Sequence, residues 1–332
     1  MGTEQQAGAV ERSQTGLRQE LIQDITDFGR ELEAWHAIYE QMTPGPFEGY
    51  IRELWIGEGL EILWEKGSQS IFTTGRNAAG MLTLGVPIVG GRSGTYCGMA
   101  LDGNAIGYLP GATDFEIFSR EELDMVSATF SEELLDAFAA ERGEALRCEI
   151  HRQPMVLARK REAELLRRML LEIVRAVEAM PELLDIDASR RAMRNCVLSL
   201  AADMLGKDTG RNTWDLHPGI KGWLVRSVRD YVLDQPQAPL TVVDLCKQFG
   251  VSRRALQYAF QEQTGLNIVL FLRNARLNAV RREIRRSGGS TAESTADVAA
   301  RWGFWHQSRF SEYYRALFGE LPSETRRRAA SR

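Results

Sequence analysis

The chain has 332 residues, long enough for two domains, and its 44% apolar and 26% charged residues are the balance of ordinary globular structure. No apolar run approaches the ~18 residues of a membrane span and the N-terminus is polar, not a signal sequence, so a cytoplasmic protein without membrane contact is expected. The net charge of −4 hides an asymmetry, because from residue 220 onward 19 Lys and Arg face 10 Asp and Glu, a balance of +9 that leaves −13 for residues 1–219. A basic module joined to an acidic one suits a protein that binds nucleic acid through one end only.

Residues 1–16 are rich in Gln, Gly, Thr and Ser and are expected to form a disordered tail. Leu21, Ile25, Phe28, Leu32, Trp35, Ile38 and Tyr39 then recur at helical spacing, which predicts a helix over 17–42, stopped at Thr43-Pro44-Gly45-Pro46. From 47 to 118 the pattern changes to strands: Leu60, Ile62 and Trp64 alternate with acidic residues, as do Leu82, Leu84, Val86 and Ile88 with small ones. Ten glycines between Gly75 and Gly111 punctuate short segments at the spacing of a small antiparallel β-barrel. Trp55, Trp64, Phe72, Arg76 and Tyr96 are candidates to line an effector pocket there, although such aromatics are more often core. The four histidines, His36, His151, His217 and His306, all lie outside 47–118, so no metal centre built on His, and no cofactor, is expected. Cys97, Cys148, Cys196 and Cys246 are scattered and suggest no disulfide framework.

Helices are expected from Ser119 to about 205, with Ser119 itself a candidate N-cap. In 162–180 the residues Leu166, Met169, Leu170, Ile173 and Val177 make an apolar stripe that Pro181 ends, and a further helix follows over 190–205. These helices either cover the barrel or pair two copies of the chain. Residues 206–219, with three Gly and few apolar side chains, form the linker.

The last domain, 220–332, opens with a helix over 220–233 and contains one pattern twice. Asp244-Leu245-Cys246-Lys247-Gln248-Phe249-Gly250-Val251 is echoed 53 positions on by Asp297-Val298-Ala299-Ala300-Arg301-Trp302-Gly303-Phe304. In each copy an Asp starts a short helix, a Gly breaks it with the positive φ of a tight turn, and the next residue plugs back into the core. A second helix follows, held by Leu256 and Phe260 in one unit (241–265) and Phe310 and Tyr314 in the other (294–319), each closing on Gly. The outward side chains are Arg253, Arg254, Gln257 and Tyr258, then Gln307, Ser308, Ser311 and Glu312, types that reach base edges and phosphates, while Arg309 aligns with Ala255 on the inward flank, in reach of a phosphate, and His306 is placed near the DNA backbone. Between the units, 267–286 reads as one helix of about 20 residues, so about 30 Å, close to the roughly 34 Å of one turn of B-DNA. Arg281, Arg282, Arg285 and Arg286, with Arg326 and Arg327, are candidate phosphate contacts.

Gly265 with the Arg-rich helix after it, Asp297-Val298-Ala299 through Gly303-Phe304, Phe310-Ser311, Phe318-Gly319 and Pro322-Ser323-Glu324 together resemble the DNA-binding domain of AraC/XylS-type bacterial transcription regulators. The resemblance covers roughly 219–328, and Gly303-Phe304-Trp305-His306 is similar to the branch that includes the ethanolamine-operon regulator. Thr325 stands where the family often has an aromatic residue. The resemblance implies an α+β chain: a cupin-like barrel with helices in a regulatory and dimerisation domain at 17–205, then an all-α domain with two helix-turn-helix units joined by a long helix. It further implies a non-enzymatic regulator of promoter DNA, a homodimer through the N-terminal domain, and RNA polymerase and a small-molecule effector as further partners. The rival reading is a small-molecule-binding or enzymatic barrel whose helical domain does not bind DNA.

Overall fold

In the computed structural model the chain is described for residues 15–29, 35–57, 59–88, 94–143, 153–206, 220–238, 240–287 and 293–331. Of the expected linker at 206–219, Gly206 ends a helix and 207–219 lie outside them, as do residues 288–292 and the tail up to residue 14. Strands extend well beyond 47–118 and form two antiparallel sheets. The larger is ordered β1 (Thr15–Ile22), β3 (Gly49–Gly57), β4 (Leu60–Gly67), β11 (Leu123–Ser131), β6 (Met81–Pro87), β9 (Ile106–Leu109) and β12 (Met155–Leu157). The smaller is ordered β2 (Trp35–Gln41), β5 (Ile71–Asn77), β10 (Asp114–Ser119), β7 (Gly94–Tyr96) and β8 (Met99–Leu101). Among the described residues the strands therefore make two facing sheets, not one sheet closed on itself into the expected barrel.

Period-two alternation sets the layers. On β6 and β11, Leu82, Leu84 and Val86 and then Val126, Ala128 and Phe130 point away from the smaller sheet. They pack beneath α1 (Glu132–Glu141), α2 (Lys160–Ala179) and α3 (Asp187–Gly206). The apolar stripe of α2, with Leu166, Leu170, Ile173, Val174 and Val177 buried, is spent on this cover. The alternate residues Thr83, Gly85, Met125 and Ser127 face the smaller sheet across a narrow cavity.

Two sequence expectations fail here. The predicted helix over 17–42 is two strands, β1 and β2, joined through a turn in which Gly29 takes φ +76°. Of the apolar residues that suggested it, Ile25, Phe28 and Tyr39 are buried but Leu21 and Ile38 are exposed, so the spacing did not mark one buried helix face. Instead, β1 pairs with β3 over eight residues, Thr15 opposite Ile56 to Ile22 opposite Gly49, and cross-strand pairing outweighs local helical preference. Thr15 and Gly16, assigned to the disordered tail, begin this strand. Likewise the chain does not turn helical at Ser119: β11 intervenes, and the first helix starts after Ser131, whose hydroxyl accepts from the Leu134 N–H.

The helices of the C-terminal part are α4 (Ile220–Asp234), α5 (Val242–Phe249), α6 (Arg253–Thr264), α7 (Ile268–Arg286), α8 (Thr295–Arg301), α9 (Gln307–Phe318) and α10 (Pro322–Ala330). They pack on the outer face of the smaller sheet. Phe72 of β5 meets Phe271 of α7 edge to face at 5.4 Å, and Phe118 of β10 joins the same cluster with Leu224, Val228 and Phe260. Polar groups are paired across this junction too. Asn278 of α7 donates to the Gln41 carbonyl and accepts from the Gln41 N–H, both at 2.9 Å, and Asn274 donates to the Met42 carbonyl. Glu40, fully buried, lies between Arg229 of α4 and Arg282 of α7, each 3.0 Å away. Asp24 is gripped by Arg281 at 2.9 Å and Arg285 at 3.1 Å.

Burial disfavours the charged forms of Asp24 and Glu40, but the facing guanidinium groups more than offset it and hold both carboxyls below their ordinary range. Their contribution to stability is thus complete above the unfolded-state carboxylate pKa of about 4 and is lost as pH falls through the lower folded-state values. Removing one partner of a buried pair strands the other, so Arg281→Ala is expected to destabilise the protein by about 3–5 kcal/mol in denaturant titrations at pH 7. That loss should shrink as the pH is lowered into the range where Asp24 protonates.

Candidate nucleic-acid interface

Each of the repeated segments begins with the same reciprocal cap. The Thr241 hydroxyl accepts from the Asp244 N–H and the Asp244 carboxylate accepts from the Thr241 N–H; Ser294 and Asp297 repeat both bonds. These bonds pull the carboxyls of Asp244 and Asp297 below their usual range. Gly250 (φ +64°) and Gly303 (φ +83°) then make the turns, and Gly265 (φ +69°) and Gly319 (φ +74°) end the second helices. Val251 and Phe304 fold back as expected; Phe304 lies against Phe310 with ring centroids 5.4 Å apart.

Both second helices bury one face and leave the other open. On α6, Leu256, Ala259 and Phe260 are buried while Arg253, Arg254, Gln257 and Tyr258 are exposed. Tyr258 carries Lys221 over its ring at 4.6 Å, and Lys221 in turn pairs with Glu262 at 2.6 Å, so this aromatic is steadied from α4. On α9, Phe310, Tyr314 and Leu317 are buried; His306, Gln307, Ser308, Arg309 and Glu312 are exposed and Ser311 half-buried. Arg309, whose alignment with Ala255 suggested an inward flank, is exposed. Trp305, 64% exposed just before α9, was not singled out from the sequence; its signal was its place as an extra residue in the second turn.

The basic candidates divide. Arg281 is buried, bound to Asp24, Glu320, Tyr314 and Thr325. Arg282 is spent on Glu40, and Arg285 on Asp24 and Asp27. These three are junction residues in this structure, not free phosphate contacts, because α7 turns that face toward the N-terminal sheets. Arg286 and Arg327 are exposed and Arg326 is half-buried. Of the pocket candidates, only Tyr96 reaches the cavity between the sheets. Trp64 donates to Asp124 at 3.0 Å and lies under Arg52, Phe72 packs on α7, and Arg76 pairs with Asp114 at the surface at 2.8 Å. Trp55 is half-buried and does not line the cavity. The sequence had marked aromatics without asking which face of each strand they occupy.

Two capped helix pairs with exposed polar faces, joined by one long helix, define a double helix-turn-helix protein. Residues 245–328 match the family model described as a helix-turn-helix domain. The chain is 33% identical over 132 residues to a probable thc operon regulatory protein of Rhodococcus erythropolis, covering 40% of this chain and 39% of that one. It is 31% identical over 101 residues to XylDLEGF operon transcriptional activator 3 of Pseudomonas putida, covering 30% of each. A solved structure described as a probable AraC family transcriptional regulator from Rhodopseudomonas palustris is 33% identical. The match covers 32% of this chain and 96% of that one, with a TM-score of 0.29. Its C-terminal part is thus similar to the helix-turn-helix domains of these transcription regulators. The chain matches less than half the length of the curated relatives named here.

An added Cβ at Gly250 would meet nothing within 4 Å, so only its left-handed backbone matters there. Gly250→Ala is therefore expected to cost about 1–2 kcal/mol in thermal or denaturant unfolding without altering the fold.

Proposed function

We propose that the chain is a sequence-specific regulator that sets α6 and α9 into adjacent major grooves on one face of promoter DNA. The observation that carries this reading is the exposure of matching polar faces on α6 and α9, each preceded by a first helix with the same reciprocal cap and each closed by a glycine. Arg253, Arg254, Gln257 and Tyr258 read or position one half of the site; His306, Gln307, Ser308, Arg309, Ser311 and Glu312 serve the other. Arg286, Arg326 and Arg327 contact phosphates at the flanks. The family is one of regulators, not enzymes.

The N-terminal part, 17–205, serves as the regulatory domain, its facing sheets standing where a cupin-like barrel is expected and enclosing the space for an effector. Leu165 on α2, with Met180 and Ile186 in the connection to α3, are large apolar residues left exposed on the helical layer, and this layer supplies the surface on which two copies pair. RNA polymerase is the further partner of a promoter-bound regulator.

In gel-shift titrations with sites selected from genomic DNA, Arg254→Ala is expected to weaken binding by about 1–3 kcal/mol and relax preference at one base position. Arg327→Ala should weaken all sequences alike and reduce the salt dependence. Affinity that is indifferent to salt, or selection that recovers no common sequence, would count against the reading.

A further inference from the structure

The space between the two sheets is lined by one carboxyl, that of Glu65, bound to a tyrosine hydroxyl and, among the described residues, to no basic partner. It is lined from the larger sheet by Glu65, Thr83, Gly85, Gly107, Met125 and Ser127, and from the smaller by Tyr39, Thr73, Tyr96, Phe115 and Ile117 among others. Its shape follows from register. Ser127, Gly85 and Gly107 stand side by side on β11, β6 and β9, so three neighbouring strands present almost no side chain at this level. The cavity is narrow, about 30 Å³. Most of the lining is apolar or aromatic, and the Tyr96 hydroxyl is already committed to the Tyr108 carbonyl at 2.9 Å.

Glu65 is the exception. Its side chain is half-buried and lines the cavity. Its partner is the Tyr39 hydroxyl, which donates to one carboxylate oxygen. Unlike Asp24 and Glu40 it has no guanidinium or ammonium beside it among the described residues, and burial pushes its carboxyl up to about 7. Burial also drives the Tyr39 phenol well above its ordinary range, with Glu65, Glu53 and Glu61 adding to the effect. The charged groups facing this end of the space are therefore acidic, apart from Arg18, which pairs with Glu53 at 3.4 Å. A metal ion finds no cluster of three ligating side chains among the described residues.

We infer that the cavity between the sheets binds a small, slender molecule with an apolar body and a cationic nitrogen, the nitrogen paired with Glu65 and the body held among Tyr96, Phe115, Ile117 and Met125. An ammonium supplies the charge and the N–H donors that Glu65 lacks, and Gly85 and Gly107 leave the room for its carbon chain. A carboxylate ligand would bring like charge toward Glu65. This assignment rests on reading the N-terminal part as an effector-holding domain, but it is tested on ligand binding alone, without DNA.

The experiment is a thermal-shift titration of the full chain at pH 8 with n-butylammonium, 1-butanol and butyrate, at constant ionic strength. The amine should stabilise the protein at a concentration at least tenfold below that of the alcohol, and butyrate should have no effect. Glu65→Gln, which keeps an acceptor for Tyr39 and reports its own folding through its melting curve, should lose the advantage of the amine. Glu132→Gln, on α1 and outside the cavity, should keep it. Equal potency of amine and alcohol, a stronger effect of butyrate, no shift with any probe, or an amine effect that survives Glu65→Gln would each overturn the assignment. A gel shift on the unliganded protein reports separately on DNA binding, so either reading can fail without the other.

Discussion

The buried guanidinium of Arg281 is the point on which the arrangement of the molecule depends. It is 3% exposed and all its bonds are to protein: Asp24 from the N-terminal sheets, Tyr314 from α9, and Glu320 and Thr325 at the start and on the body of α10. A charge removed from water at this depth is tolerable only with its partners in place. The three segments that supply them are therefore held in one relation to α7. The same helix buries Asn274 and Asn278, whose amides donate to the Met42 and Gln41 carbonyls, Asn278 also to the Asn274 carbonyl one turn back. Polar groups thus fix the register of the junction, and the aromatic contact between Phe72 and Phe271 adds apolar area to it.

The smaller sheet works on both faces. Along β2, Tyr39 points into the cavity and Glu40 points to Arg229 and Arg282; along β10, Phe115 and Ile117 face the cavity while Phe118 packs among the C-terminal helices. One residue of strand separates the two environments. The sheet also touches both helix-turn-helix units: Arg120, just past β10, donates to the Glu262 carbonyl near the end of α6, and Gln41 donates to the Leu317 carbonyl at the end of α9. The spacing of the two exposed helix faces is accordingly set by the sheet as well as by the connecting helix.

Much of the C-terminal part was legible because its signals are local. An Asp at the third helical position, a Gly with positive φ and apolar residues four apart each act within one turn of chain, and the repeat supplied an internal check. The exposed faces followed from helical periodicity alone. The Arg run on α7 misled for the complementary reason: charge is visible in sequence, but Asp24, Asp27 and Glu40 lie some 240–260 positions away. Residues 17–42 misled in the same way: apolar residues fell at helical spacing, but Leu21 and Ile38 are exposed and the backbone found its hydrogen bonds in another strand.

The sequence by itself determined the two capped helix pairs, their glycine turns, the side chains they expose and the acidic and basic halves of the chain, because each of these depends on neighbours a few residues apart. Only the tertiary structure decided that three of the α7 arginines are paired with Asp24, Asp27 and Glu40, that two facing sheets enclose a cavity, and that Glu65 borders it while most of the expected aromatics do not. Those outcomes turn on strand partner and strand face, which are fixed by long-range pairing and burial and leave no mark within any short window of residues.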